Sequence, residues 1–133
     1  MVFVLDACAI IAYIRNEPGA DVIESILMSE DDDCLIHAIN LCEVYYDFLR
    51  VAGERVAQDA IADLGPLALV TRQDMDVAFW QSAGQVKAHF RISLADCFAV
   101  ALASRLRAEV LTSDHREFEP VAAKGICPVR FFR

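Results

Sequence analysis

The sequence predicts an α/β chain with a central, mostly parallel five-stranded sheet and helices on both faces. Three observations lead there. The chain opens on an unbroken apolar run, MVFVL, that stops on Asp6. A run so short, with β-branched residues, reads as a strand buried on both faces, as central strands of parallel sheets are. Helical stretches then alternate with further strand-like runs along the chain, the order expected of a sheet layered between helices. Acids also recur where these runs turn, at Asp6, Glu43, Asp96 and Asp114, and the carboxyl edge of an open α/β sheet is where ligands bind.

Taken in order, Met1 to Asp6 forms the first strand and its terminal carboxylate. Residues 7–14 have the composition of a short buried helix, broken by Asn16, Pro18 and Gly19. Pro18 starts a second helix to about Ser29, with Val22, Ile26 and Leu27 on its apolar side. Glu30 to Asp33 is a solvated acidic turn, since no calcium-loop spacing follows it. Residues 34–38 form the second strand, and Asn40 is the expected N-cap of a helix that Gly53 ends. A further helix from about Glu54 to Leu64 stops at Gly65-Pro66, and residues 67–71 give the third strand. Asp74 to Ala88 is helical, with Met75, Ala78, Phe79, Ser82 and Val86 on one face. Ser93 caps a helix from Leu94 to about Arg107 that is apolar nearly all round and therefore buried. Residues 110–113 are the fourth strand, ending at Asp114, and residues 126–132 the fifth, which Pro128 places at a sheet edge.

The totals bound the function. At 133 residues the chain is expected to be one domain, residues 1–133. Its hydrophobic share of 56% is rich for a globular chain and points to a dimer or a bound partner. No stretch has the length of a membrane span and the start lacks a secretory pattern, so no membrane association and a cytoplasmic location are expected. Five cysteines, without CxxC spacing, argue against a disulfide framework or a zinc finger. A net charge of -8 argues against broad basic patches for nucleic acid, while an acidic pocket holding a divalent cation fits it.

The four acids are expected to meet. The helix from Leu94 climbs about 20 Å at 1.5 Å per residue, and the strand that follows returns about 16 Å. Asp114 thus comes back to the level of Asp96, beside Asp6 at the end of the first strand and Glu43 after the second. Two carboxylates 4 Å apart repel by about 4 kcal/mol at an effective dielectric near 20, and a bound cation removes that cost. Oxygen-only ligands suit Mg²⁺ or Mn²⁺, which polarise phosphate and activate water for phosphodiester hydrolysis. Against this stands helix capping: Asn40-x-x-Glu43 and Ser93-x-x-Asp96 both have capping-box spacing. A cap is not expected to explain Asp6 or Asp114, which follow apolar strands.

Four segments, VLDACAIIAY (4–13), NLCEV (40–44), SLADCFAVALA (93–103) and LTSDHREF (111–118), together resemble PIN-domain ribonucleases in order and spacing. The resemblance covers essentially the whole chain and is closest to the VapC toxins of type II toxin-antitoxin pairs. It implies a PIN-like three-layer α/β/α sandwich and a Mg²⁺- or Mn²⁺-dependent endoribonuclease that cleaves RNA. It also implies a homodimer, and a VapB-type antitoxin whose C-terminal segment enters the acidic groove. By the resemblance, Asp6 and Asp96 match the principal metal ligands, and Glu43 and Asp114 the acids that complete the catalytic pocket. Where the family commonly has Ser or Thr, two residues after the first Asp, this chain has Cys8, a poorer hydrogen-bond partner. Thr112 and Ser113 are expected to supply a hydroxyl nearby, and Glu117 a peripheral acid. Arg15, Lys87, Arg91 and Arg116 are the candidates for holding RNA phosphate, against the alternative of ordinary surface charges. Cys8, Cys42 and Cys97 each lie near a motif acid, which raises a thiolate metal site, with buried apolar filler as the alternative. Two other functions compete: a non-catalytic PIN-like interaction module, and a metal-dependent phosphatase. The latter wants a second acid where Cys8 stands.

Overall fold

A computed structural model describes residues 1–133. The strands are β1 (Val2–Leu5), β2 (Asp33–His37), β3 (Leu69–Arg72), β4 (Glu109–Thr112) and β5 (Val129–Phe131). They form one wholly parallel sheet in the order β3-β2-β1-β4-β5. β1 is central, with Val4 opposite Leu35 on one side and Val110 on the other. The connections leaving β1 and β4, into α1 and α7, therefore part to opposite faces at the carboxyl edge of the sheet, which opens a crevice there. β5 is at an edge, as Pro128 requires.

Seven helices cover the sheet: α1 (Ala7–Ile14), α2 (Ala20–Leu27), α3 (Ala38–Ala52), α4 (Glu54–Asp63), α5 (Val77–His89), α6 (Leu94–Leu106) and α7 (His115–Ala123). Alternation along β1 divides the core in two. Phe3 and Leu5 join Ile10, Ile23, Ile36, Val44 and Phe48 on the face covered by α1 to α4. Val4 joins Leu35, Phe79, Val100, Val110 and Phe118 on the face covered by α5 to α7. The alanines of α6 allow its close approach, and residues 99–103 are all buried. No helix is long and apolar enough to cross a membrane.

Several local expectations are corrected. Asn40 is not the cap of α3: the helix starts at Ala38, and His37 caps it by accepting from the Ile39 N–H through Nδ1 at 3.1 Å. The opposite ring nitrogen meets the Asp74 carbonyl at 2.9 Å, so His37 bridges β2 to the start of α5. Glu43 consequently lies in the second turn of α3, not the first. On α2 the buried side is Ile23, Ile26 and Leu27, and Val22 is exposed; on α5 it is Phe79, Ala83 and Val86, and Met75 is exposed before the helix begins. Between the fourth and fifth strands, where the sequence reading places no element, the structure has α7, with Pro120 inside it.

Gly19, before α2, has φ +89°, and a Cβ there would lie 2.7 Å from both the Phe132 ring and the Phe132 carbonyl oxygen. Only glycine fits that close passage without strain.

Candidate active site

The carboxyl edge of the sheet gathers the four expected acids. Asp6, Glu43, Asp96 and Asp114 line one cavity of about 140 Å³, together with Cys8, Tyr46 and Asp47. Each arrives by a different route. Asp6 ends β1 and turns its carboxylate back onto α1, accepting from the Ala9 N–H at 2.9 Å. Asp114 follows β4 and caps α7, accepting from the Glu117 N–H at 3.0 Å. Both are N-caps, contrary to the expectation that capping would not explain them. Asp96 stands in the first turn of α6, whose cap is Ser93, its Oγ accepting from the Asp96 N–H at 3.1 Å. Glu43 reaches in from α3, half-buried.

Glu117 is more central than a peripheral acid. One carboxylate oxygen each of Asp96, Asp114 and Glu117 lies within 4.8 Å of the others. Glu117 also accepts from the Ser93 N–H at 3.1 Å, which ties α7 to the start of α6. Its spacing from the Asp114 cap is that of a capping box, the one sequence signal for its position. Tyr46 and Asp47 also line the cavity. They were not singled out from sequence, although they lie three and four residues after Glu43 and so share its helix face.

Crowding governs the electrostatics. Burial pushes the Asp6 carboxyl up, while hydrogen bonds from Thr112, Cys8 and the Ala9 N–H pull it back. Burial also raises Asp96, and its hydrogen bond to Glu117 raises it further, so Asp96 keeps the proton of that pair. Glu117 is correspondingly lowered, first by that bond. Burial raises Glu43, with the charges of Asp6 and Glu117 adding to it. Carboxyls that hold on to protons when crowded are the expected response of an anionic pocket without a counter-charge.

The donor set fits a hard dication. All the converging groups offer carboxylate oxygen, which is what Mg²⁺ and Mn²⁺ take. Opposed oxygens on one such ion are about 4.2 Å apart, so the 4.8 Å spacing of the trio needs only small side-chain adjustment. Asn40, fully buried, donates to the Ala95 carbonyl at 3.2 Å, and its Oδ1 has no partner.

The remaining candidates divide. Thr112 is fully buried and donates to Asp6 while accepting from the Asp114 N–H at 3.0 Å, so it positions two acids and cannot touch RNA. Ser113 is half-buried beside Cys8. Arg15 pairs with Asp47 at 3.0 Å and lies over the Phe48 ring, which commits it to the cavity wall. Lys87 donates to the Ile92 carbonyl at 2.6 Å. Arg91 and Arg116 are exposed. The three cysteines do not assemble: Cys8 lies in the cavity, Cys42 is exposed, and Cys97 is buried against α5 and α7. The Cys8 Sγ is within 3.1 Å of both Asp6 oxygens, its thiol pushed up to about 12 by burial and by Asp6.

The PIN domain family matches residues 3–124 of the sequence. The chain belongs to the PIN domain family. Solved structures agree on the fold. This PIN domain resembles VapBC2 from Rickettsia felis, bound to a DNA fragment from their promoter, with TM-score 0.77 at 14% identity over 98% of each chain. It resembles DNA-bound VapBC from Salmonella typhimurium with TM-score 0.76 at 18% identity, over 100% of this chain and 99% of that one. It also resembles VapC20 of Mycobacterium tuberculosis, a sarcin-ricin loop cleaving toxin, with TM-score 0.68 at 15% identity, over 98% of this chain and 99% of that one. The comparison with curated proteins found no match to this chain by sequence.

Proposed function

We propose that this chain, as one PIN domain over its whole length, is a divalent-metal-dependent endoribonuclease and the toxin of a VapBC-type pair. The observation that carries the proposal is the meeting of Asp6, Glu43, Asp96 and Asp114 in one cavity, with Glu117 closing the cluster. Asp96, Asp114 and Glu117, whose oxygens lie within 4.8 Å of one another, together with Asp6 and Glu43 in the adjoining cavity, are the residues that would hold Mg²⁺ or Mn²⁺. When bound, such an ion neutralises the carboxylates and supplies an activated water for attack on an RNA phosphodiester. The chain's own groups prepare the site. Thr112, Cys8 and the Ala9 N–H hold the Asp6 carboxylate in one orientation. Ser93 fixes the start of α6 and hence Asp96. Burial and the hydrogen bond to Glu117 raise the Asp96 carboxyl, and a bound cation would lower it again.

An antitoxin arginine would pair with the same carboxylates, since guanidinium matches carboxylate in charge and shape. Val77 and Trp80, a turn apart and exposed on α5, support assembly with further chains, including a second copy. The test is cleavage of structured RNA by the purified chain with Mg²⁺, with Mn²⁺ and with chelator. Metal-dependent cleavage by wild type and its loss in Asp96→Asn are expected. Equal inertness of both under all three conditions would leave a non-catalytic PIN module, and turnover of small phosphomonoesters a phosphatase.

A further inference from the structure

Eight of the twelve Lys and Arg side chains of this acidic chain are engaged. Seven arginines form ion pairs with acids, and Lys87 is held by a backbone carbonyl. Arg91, Arg107, Arg116 and Lys124 have no such partner. Two of these lie far from the acids. Arg107 ends α6 and Lys124 ends α7, each about 15 Å along its helix from the acid near its start, at 1.5 Å per residue. The other two flank the starts of the same helices: Arg91 precedes the Ser93 cap and Arg116 is the second residue of α7. They line one groove of about 440 Å³ with His89, Phe90 and Glu117. Glu117 belongs to the acid cluster as well, so the groove abuts the candidate active site.

We infer that this groove is a binding track for single-stranded RNA, in which Arg91 and Arg116 hold a phosphate flanking the cleaved bond and Phe90 supports a base. The inference rests on the nuclease reading and adds the direction from which substrate reaches the acids. The rest of the surface supports a short, single-stranded footprint. At net charge -8, most of the protein repels a polyanion, and following the phosphates of a duplex needs a broad basic face. Two free arginines beside Phe90, which packs partly against the core and lines the groove with the rest of its surface, supply what an unpaired strand needs over a nucleotide or two, charge for the backbone and apolar surface for a base. Both arginines are free to swing, whereas Arg15 and Lys87 would first have to break their present contacts.

The experiment measures binding of a fluorescent unpaired RNA oligonucleotide to the full chain carrying Asp96→Asn, with Mg²⁺, across a salt series. Two phosphate contacts on a single strand give a slope of about -1.4 in log affinity against log salt, and each lost contact removes about 0.7. Arg91→Ala and Arg116→Ala should each lower affinity roughly tenfold and flatten the slope, while Lys124→Ala and Arg107→Ala should change neither. Unchanged affinity in both groove variants overturns the track, as does the absence of binding, equal binding of a duplex, or displacement by polyglutamate as effective as by RNA. Wild-type cleavage, assayed in parallel, separates these failures: cleavage with a silent groove sinks the track alone, and no cleavage sinks the nuclease.

Discussion

Replacing Asp96 by Asn should make the metal-free protein more stable while abolishing its response to divalent cations. The magnitude follows from the trio of oxygens within 4.8 Å. Were Asp96 ionised, each close carboxylate would repel it by about 3.5 kcal/mol at an effective dielectric near 20. If it keeps its proton instead, holding it at pH 7 against an ordinary value of 3.8 costs about 4 kcal/mol. An Asn amide donates to Glu117 more weakly than the protonated carboxyl does, a loss of about 1–1.5 kcal/mol. The relief is therefore about 2–3 kcal/mol, or roughly 6–12 °C in Tm for a domain of this size. Thermal unfolding in chelator and in saturating Mg²⁺ measures both halves: the variant melts higher in chelator, and wild type alone gains from Mg²⁺. The pH dependence has a definite sign. The native state holds a proton that the unfolded chain releases above about pH 4, so wild-type stability falls as pH rises from there toward the raised native value. In the variant Asp96's share of that slope disappears, leaving the smaller part that the raised Asp6 and Glu43 carboxyls contribute. A chelator Tm at or below wild type would refute the reasoning.

Other substitutions probe the supports. Thr112→Val removes a buried donor to Asp6 and an acceptor for the Asp114 N–H, and should cost about 2–3 kcal/mol in denaturant unfolding as well as slowing cleavage, with Thr112→Ser retaining most of both. Gly19→Ala forces a Cβ to within 2.7 Å of Phe132 at φ +89°, and should lower stability by about 2–4 kcal/mol; an unchanged denaturation midpoint would contradict that packing. Of the five free cysteines, only Cys42 should react quickly with a thiol reagent at pH 8. Burial pushes the thiol of Cys8 up to about 12 and those of Cys34, Cys97 and Cys127 up to about 11. Peptide mapping by mass spectrometry reads which residue is labelled first.

The layering and the meeting of the acids were legible because they depend on coarse arithmetic. Strand and helix lengths bring Asp114 back to Asp96 whatever the side-chain detail, and the apolar run before Asp6 marks the central strand. Local chemistry was harder to read. α7 has a proline, Pro120, in its interior, where a helix does not favour one, although Asp114, Glu117, Phe118 and Val121 carry its cap and its buried face. Asn40 has the right residue type for a cap, but a cap needs a free helix end, and His37 had already supplied one. Thr112 and Ser113 are both hydroxyl residues at a strand end; which one turns inward depends on pleat and register, and the strand puts Thr112 in the core. Arg15 and Arg91 look equivalent as isolated basic residues, and only three-dimensional neighbours separate the committed one from the free one.

Asp6 and Asp114 each fasten the helix that follows them, and this dual employment bears on how such a chain decays or is dissected. Alanine at either position would unbutton a helix start, at about 0.5–2 kcal/mol, together with deleting one of the carboxylates proposed to hold metal, so inactivity there would merge misfolding with lost chemistry. Asparagine or serine keeps the fastening and drops the charge. A lineage released from selection on catalysis but still selected for solubility would drift toward those two residues first, leaving sound but silent copies of the fold.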